Sequence, residues 1–309
     1  MRLGFLTACL GEMSLDDVIE FAAREGFEDI DVAAWPSFYH SNPFVATHID
    51  AEAWTEAQGK TLRKHLADAG VRISQLSFFA NQIQDDEVMR GKYNAYLTRL
   101  IEVASDLEVP IVGTFIGRDV TKTVHENLPL VEELFVPLVK QAEKHSVILA
   151  VENCPMEGWD EFGLRGNVFY SQELWESIFT LIDSKNFGAI YDPSHSVWLG
   201  IDPVWPVYVL ADHLVGAHGK DTRVDHGALR RYGFFGKQIE RSSIWDIGWW
   251  QYVMPGLGEV DWSAFIRALR QIGYDGTIAI ENEDMAWFSD TEKKLKGILL
   301  GKQHIESLL

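Results

Sequence analysis

Eight short apolar runs, each followed by a stretch of helical period, recur from one end of this chain to the other, and that alternation leaves few folds open. The runs lie near 3-LGFLTAC-9, 29-DIDVAAW-35, 72-RISQLSFF-79, 110-PIVGTFI-116, 147-VILAVEN-153, 187-FGAIYD-192, 214-LVGAHGK-220 and 277-TIAIEN-282. The first intervening stretch, 15-LDDVIEFAAREG-26, sets Leu15, Val18, Ile19 and Ala22 on one helix face before Gly26 stops it. Similar helices are predicted at about 52–69, 86–107, 126–145, 172–183, 203–212, 261–272 and 288–308. Gly70, Gly273 and Gly276 stand where C-terminal caps and helix-to-strand turns call for positive φ.

Strands alternating with helices make right-handed β-α-β units on a parallel sheet, and eight units is the number that closes a barrel. The predicted fold class is therefore α/β, a (β/α)8 TIM barrel, with residues 1–309 as one domain and no Ser/Pro-rich linker inside it. An open doubly wound sheet is the alternative, but no G-x-G-x-x-G follows the first strand, where a dinucleotide fold would place it.

Composition narrows the function. Hydrophobic residues at 47% and charged residues at 24% suit a folded globular enzyme rather than a disordered chain. The 46 acidic residues against 27 Lys and Arg give a net charge of -19, which repels a phosphate backbone, so no nucleic-acid partner is expected. Two cysteines, Cys9 and Cys154, are too few for a disulfide framework and fit a reducing compartment. The start, MRLGFLTACLGEMSLDD, lacks a cationic leader and a cleavage motif, and no apolar segment reaches the roughly 20 residues of a membrane helix. A cytoplasmic protein with no membrane partner is expected.

Barrels of this kind carry their active sites at the C-terminal ends of the strands. There the fifth strand ends in Glu152, the sixth in Asp192, the seventh in His218 and the eighth in Glu281. Singly each has a plain explanation: Asp192 before Pro193 reads as a helix N-cap, His218 as a core histidine, and a strand-end glutamate as half of an ion pair. Together they form a mixed oxygen and nitrogen set suited to one divalent ion, Mn²⁺ first, with Mg²⁺, Co²⁺ or Zn²⁺ as alternatives. Without a cation, clustered carboxylates repel one another. In 277-TIAIENED-284 this makes Glu281 a ligand and leaves Glu283 and Asp284 to the rim.

The segments E-N-x-P, D-P-S-H, H-x-K-D, P-G-x-G-E-V-D-W and G-Y-D-G followed by I-E resemble the sugar phosphate isomerase/epimerase family of xylose isomerase-like barrels, within the AP endonuclease family 2 superfamily, over nearly the whole chain. The resemblance implies that Glu152, Asp192, His218 and Glu281 are the ligands of a divalent metal and that the two glutamates double as acid and base. Endonuclease IV of the same superfamily needs histidines after strands three and four and a D-x-H near strand seven. This chain has 77-SFFANQ-82, 114-TFIGRD-119 and 225-DHG-227 instead, which speaks against DNA repair.

Such a site abstracts a proton beside the carbonyl of a ketose or related keto-sugar. Returning the proton to the other face is epimerisation, returning it to the neighbouring carbon is isomerisation, and losing a β substituent is elimination. The expected function is a metal-dependent isomerase or epimerase. A lyase is the alternative, either a keto-inositol dehydratase or a C-glycoside deglycosidase-like eliminator of 3-keto-glycosides. A non-catalytic carbohydrate-binding barrel is the reading from another class.

His195, three residues after Asp192, is expected beside the metal, as a catalytic group or as a hydrogen-bonding support. Lys220 and Asp221 either neutralise and orient the enediolate or pair across the mouth. His48 is a candidate lid contact. The connection 222–260 carries Trp245, Trp249, Trp250, Tyr232, Tyr252, Phe234, Phe235, Arg223, Arg230 and Arg231, which suits either a sugar or aglycone site or a subunit interface, so a homo-oligomer is also open. Arg223, Trp249, Trp250, Asp221 and His48 are the candidate substrate contacts, and Arg223 is the candidate for a phosphate.

Overall fold

In the computed structural model residues 1–39, 42–155, 159–160, 163–164, 166–242 and 246–309 are described, so Trp245 lies outside the described residues. Eight strands, Arg2–Phe5, Asp29–Ala33, Arg72–Phe78, Ile111–Thr114, Ile148–Glu152, Phe187–Tyr191, Leu214–Gly219 and Thr277–Ile280, form one parallel sheet. Six continuous ladders join neighbouring strands in chain order from the second to the eighth, and a seventh pairs the eighth strand with the first. The ring closes between the first and second strands through the bridge Leu6 to Asp31 and the bond from Glu28 N to Leu3 O. This is the predicted TIM barrel, with its helices packed outside.

The helices begin where side chains satisfy the first free N–H groups. Ser14 accepts from Asp17 N, and Thr55 with Gln58 and Thr123 with Glu126 make reciprocal capping boxes. Consequently the second helix runs Glu56–Ala69, later than the expected start at 52, and ends on Gly70 at φ 69°. Gly276 is different: its φ is not positive, and it is small because a Cβ there would strike Tyr274.

Two expectations need correction. The first strand stops at Phe5, and Thr7–Leu10 is a 3-10 helix, because Thr7 Oγ1 leaves the strand register to accept from Ala33 N at 2.9 Å. The helix expected at 203–212 is Trp205–Val209, preceded by a separate helix Pro193–Leu199 capped by Asp192. The connection after strand seven holds an antiparallel ribbon, Asp221–Val224 with Trp250–Val253, and a helix His226–Tyr232.

One apolar cluster fills the barrel and the layer beneath the helices, from Leu3 to Ile305. A second, Trp198 with Ile247 and Trp249, lies under the ribbon. No helix among the described residues is long and apolar enough to cross a membrane.

Candidate active site

Glu152 closes strand five, and the next residue, Asn153, couples it to strand six. Asn153 Nδ2 donates to Asp192 O at 3.0 Å while its Oδ1 accepts from Asp192 N at 2.7 Å. Asp192 then turns the chain into the helix Pro193–Leu199, accepting from Ser194 N through Oδ1 at 2.8 Å. The N-cap reading of Asp192 is correct, and its other oxygen, Oδ2, makes no hydrogen bond but stands 3.1 Å from Lys220 Nζ and 3.3 Å from His195 Nε2.

Strands seven and eight supply the remainder. His218 Nδ1 lies 2.9 Å from Glu152 Oε1 and 3.3 Å from Glu281 Oε2. Candidate ligand atoms of Glu152, Asp192, His218 and Glu281 all fall within 4.8 Å of one another. The structure thus brings together the four residues singled out from the strand ends. Hard oxygens with one imidazole, and an Asp192 oxygen buried without a hydrogen bond, fit a single divalent ion.

Protonation in the ion-free arrangement follows from these contacts. Burial pushes the Glu152 carboxyl up, but the charge of His218, its hydrogen bond at 2.9 Å and the neighbouring His195 reverse this and hold it far below the usual range. Burial also acts on Glu281, where the Lys220 ammonium and His218 bring the carboxyl down to about 2. Burial disfavours the His218 imidazolium, yet Glu152 and Asp31 outweigh it and raise its pKa well above the ordinary value. Any ion taken up at Nδ1 must displace that proton. We expect metal affinity to rise about tenfold per pH unit below the His218 pKa, with proton release seen by calorimetry in buffers of different ionisation heat. A pH-independent affinity with no proton release would exclude His218 as the titrating ligand.

Lys220 is buried with its Nζ 2.7 Å from Glu281 Oε2, 2.9 Å from Glu283 Oε2 and 3.1 Å from Asp192 Oδ2. Burial opposes its charge, but these carboxylates raise its pKa well above the ordinary lysine value. His195 is fully buried: Nδ1 meets Tyr252 Oη at 2.7 Å, and Nε2 faces Asp192 Oδ2 at 3.3 Å without a hydrogen bond.

Other candidates take different places. Asp221 accepts from five donors, Thr222 N, Val260 N, Gly256 N, Gly258 N and Trp262 Nε1, at 2.8 to 3.2 Å. Its oxygens are used up in fastening the end of the long connection. His48 is tethered on both nitrogens, Nδ1 at 2.9 Å from Thr7 Oγ1 and Nε2 at 3.3 Å from Leu10 O. Because Leu10 O only accepts, Nε2 carries the proton, and burial keeps the ring neutral by lowering its pKa. Trp249 is buried in the ribbon's own core and donates to Phe234 O at 3.0 Å. Trp250 stacks on Trp198 with ring centres 4.7 Å apart, and Arg223 is exposed on the ribbon. Asp284, expected at the rim, is buried and accepts from Met254 N and Ala286 N at 3.1 and 2.9 Å.

One positioning residue, Asp31, escaped the sequence reading, and a second, Tyr252, was expected only as one aromatic of the long connection. Asp31 Oδ2 stands 3.7 Å behind His218 Nε2, an ion-pair distance that favours the imidazolium, and is itself gripped by Gln75 and Ser77. A carboxylate inside the apolar run 29-DIDVAAW-35 was its signal. Tyr252, carried over the mouth by the ribbon, accepts from Trp198 Nε1 at 3.2 Å, holds His195, and lays its ring 4.6 Å from the Lys220 ammonium.

Residues 19–301 match the family described as xylose isomerase-like TIM barrel. A Bacillus subtilis (strain 168) protein, the uncharacterized protein YfiH, is 24% identical over 316 residues, covering 92% of this chain and 93% of that protein. Among solved structures, D-psicose 3-epimerase from Clostridium cellulolyticum H10 with D-tagatose superposes with TM-score 0.68 at 16% identity, covering 100% of this chain and 99% of that one. The probable 3-DHS dehydratase AsbF of Bacillus anthracis gives TM-score 0.68 at 16% identity, covering 100% and 98%.

Proposed function

Because the chain belongs to the xylose isomerase-like TIM barrel family, we propose that it is a divalent-metal-dependent isomerase or epimerase that removes a proton beside the carbonyl of a ketose or related keto-sugar. The observation that carries this reading is the convergence of Glu152, Asp192, His218 and Glu281 on one point, with two of the carboxyls held ionised. These four would hold the ion. When bound, it supplies Lewis acidity that polarises a carbonyl and acidifies the adjacent C–H.

The chain's own groups supply the proton handling. Glu152 and Glu281 are both bases at neutral pH and hang from strands five and eight, so they approach a substrate from different sides. Glu281 is the more open of the two, at 12% side-chain exposure against 3% for Glu152, and suits the first abstraction. Lys220 keeps its positive charge and neutralises a developing oxyanion. His195, with its pKa raised by Asp192 and Glu152 against burial and Lys220, offers Nε2 as a proton donor to a substrate oxygen. Tyr252 and Phe79 flank the two imidazoles, the Tyr252 ring 5.4 Å from that of His195 and the Phe79 ring 5.8 Å from that of His218. The similarity to D-psicose 3-epimerase supports the epimerase form.

A second reading, β-elimination, is favoured by His195 Nε2, which has no hydrogen bond and is the acid a leaving oxygen needs. The likeness to a dehydratase supports it too. The test is NMR in D₂O with protein loaded separately with Mn²⁺, Mg²⁺ and Co²⁺, the metal being removed before spectra, against ketohexoses, keto-inositols and 3-keto-glucosides. Deuterium entering beside the carbonyl of an otherwise intact sugar is the expected result. Release of water or an aglycone with an unsaturated ketone establishes the lyase, and no exchange with any of the three classes rejects both.

A further inference from the structure

Two residues past Glu152 stands Cys154, half-buried beside the mouth. Among the described residues, Glu152, Cys154 and His195 form a second group whose candidate ligand atoms lie within 4.8 Å of one another. Their placement is fixed before anything binds. Asn167 Nδ2 donates to Glu152 O at 3.0 Å and to Cys154 O at 2.9 Å, pinning the backbone that carries both side chains.

The imidazole provides the second, independent sign of a ligand. His195 Nδ1 is engaged by Tyr252 Oη at 2.7 Å, while Nε2 is completely buried and makes no hydrogen bond, standing between two carboxylates, Asp192 Oδ2 at 3.3 Å and Glu152 Oε1 at 3.6 Å. A polar atom so buried normally has a partner. A carboxylate, an imidazole and a sulfur form a donor set unlike the oxygen-rich set of the four strand-end residues. Thiolate selects softer cations than Mg²⁺ or Mn²⁺, and three protein ligands leave a fourth tetrahedral position for water.

We propose that Glu152, Cys154 and His195 form a binding site for a thiophilic divalent cation, Zn²⁺ or Cd²⁺, that shares Glu152 with the four-residue site but differs from it in chemistry. Binding forms a metal–sulfur bond and releases the thiol proton to solvent, with no change of oxidation state. A cation there withdraws Glu152 and His195 from proton handling, so exposure to zinc or cadmium inhibits whatever reaction those two serve.

The test uses the metal-stripped full chain titrated with Cd²⁺ and followed by thiolate-to-cadmium charge-transfer absorption in the ultraviolet. Wild type is expected to develop the band, Cys154→Ser and Cys154→Ala to lose it, and Cys9→Ser to keep it, since burial pushes the Cys9 thiol up to about 12. His195→Ala is expected to weaken cadmium binding at least ~10-fold by the same band. Manganese binding by Cys154→Ser, measured by electron paramagnetic resonance, should match wild type. A band that survives in both Cys154 variants, its absence from wild type, or an unchanged cadmium affinity in His195→Ala overturns the proposal. Failure of deuterium exchange would reject the isomerase reading and leave this band as expected, so the two stand apart.

Discussion

Glu281→Gln lowers turnover by about 10² to 10⁴-fold at saturating metal, the usual contribution of a positioned general base. The amide keeps the size of the side chain and one oxygen, but it cannot take up a proton at neutral pH. In the parent the carboxyl sits at about 2, with Lys220 Nζ 2.7 Å away, so it is ionised throughout the physiological range. Because Glu281 is also placed to hold the ion, metal occupancy must be measured beside rate, and sugar binding beside both. Loss of turnover with the sugar still bound supports the base. A rate within ~10-fold of the parent at full occupancy would show that another group removes the proton. A barrel that only binds carbohydrate shows no turnover in the parent and keeps its affinity in the variant.

Asp221→Asn costs about 1–3 kcal/mol of stability, as expected when a buried N–H group loses its acceptor. Five N–H groups converge on this carboxylate. An amide nitrogen in place of either oxygen turns a donor toward donors and leaves buried N–H groups without an acceptor. The backbone closes tightly on the carboxylate, since a Cβ on Gly258 would collide with Asp221 Oδ1 and the Thr222 carbonyl. The loss should appear as a lower midpoint in chemical denaturation, with greater quenching of Trp262 as its Nε1 partner disappears. A variant within about 1 kcal/mol of the parent would mean that water replaces the carboxylate, and the fastening role would be wrong.

These cases show where sequence is transparent. Barrel strands are apolar on both faces, so they stand out as runs, and a polar residue ending such a run marks the mouth; that is how Glu152, Asp192, His218 and Glu281 were found. Asp31 was missed because whether a strand residue faces the barrel interior or the helices is fixed only when the ring closes. Asp221 lies next to Lys220 in the chain, yet its partners come from residues 256–262, brought back by a ribbon that the loop's composition does not announce. Aromatic residues are ambiguous for another reason. The same preference for apolar surface puts Trp249 in a core and Trp250 on a stack at the mouth, and only coordinates separate them.

Seven of the eight strand junctions are ladders, but the junction of the first and second strands rests on the Leu6 to Asp31 bridge, the bond from Glu28 N to Leu3 O and the Thr7 tether. In amide exchange this is where the slow breathing of the ring should begin, ahead of the ladders on either side. Asp31 belongs both to that seam and to the hold on His218. Ion uptake should therefore quieten the seam, so that the most easily opened part of the barrel reports on the occupancy of its mouth.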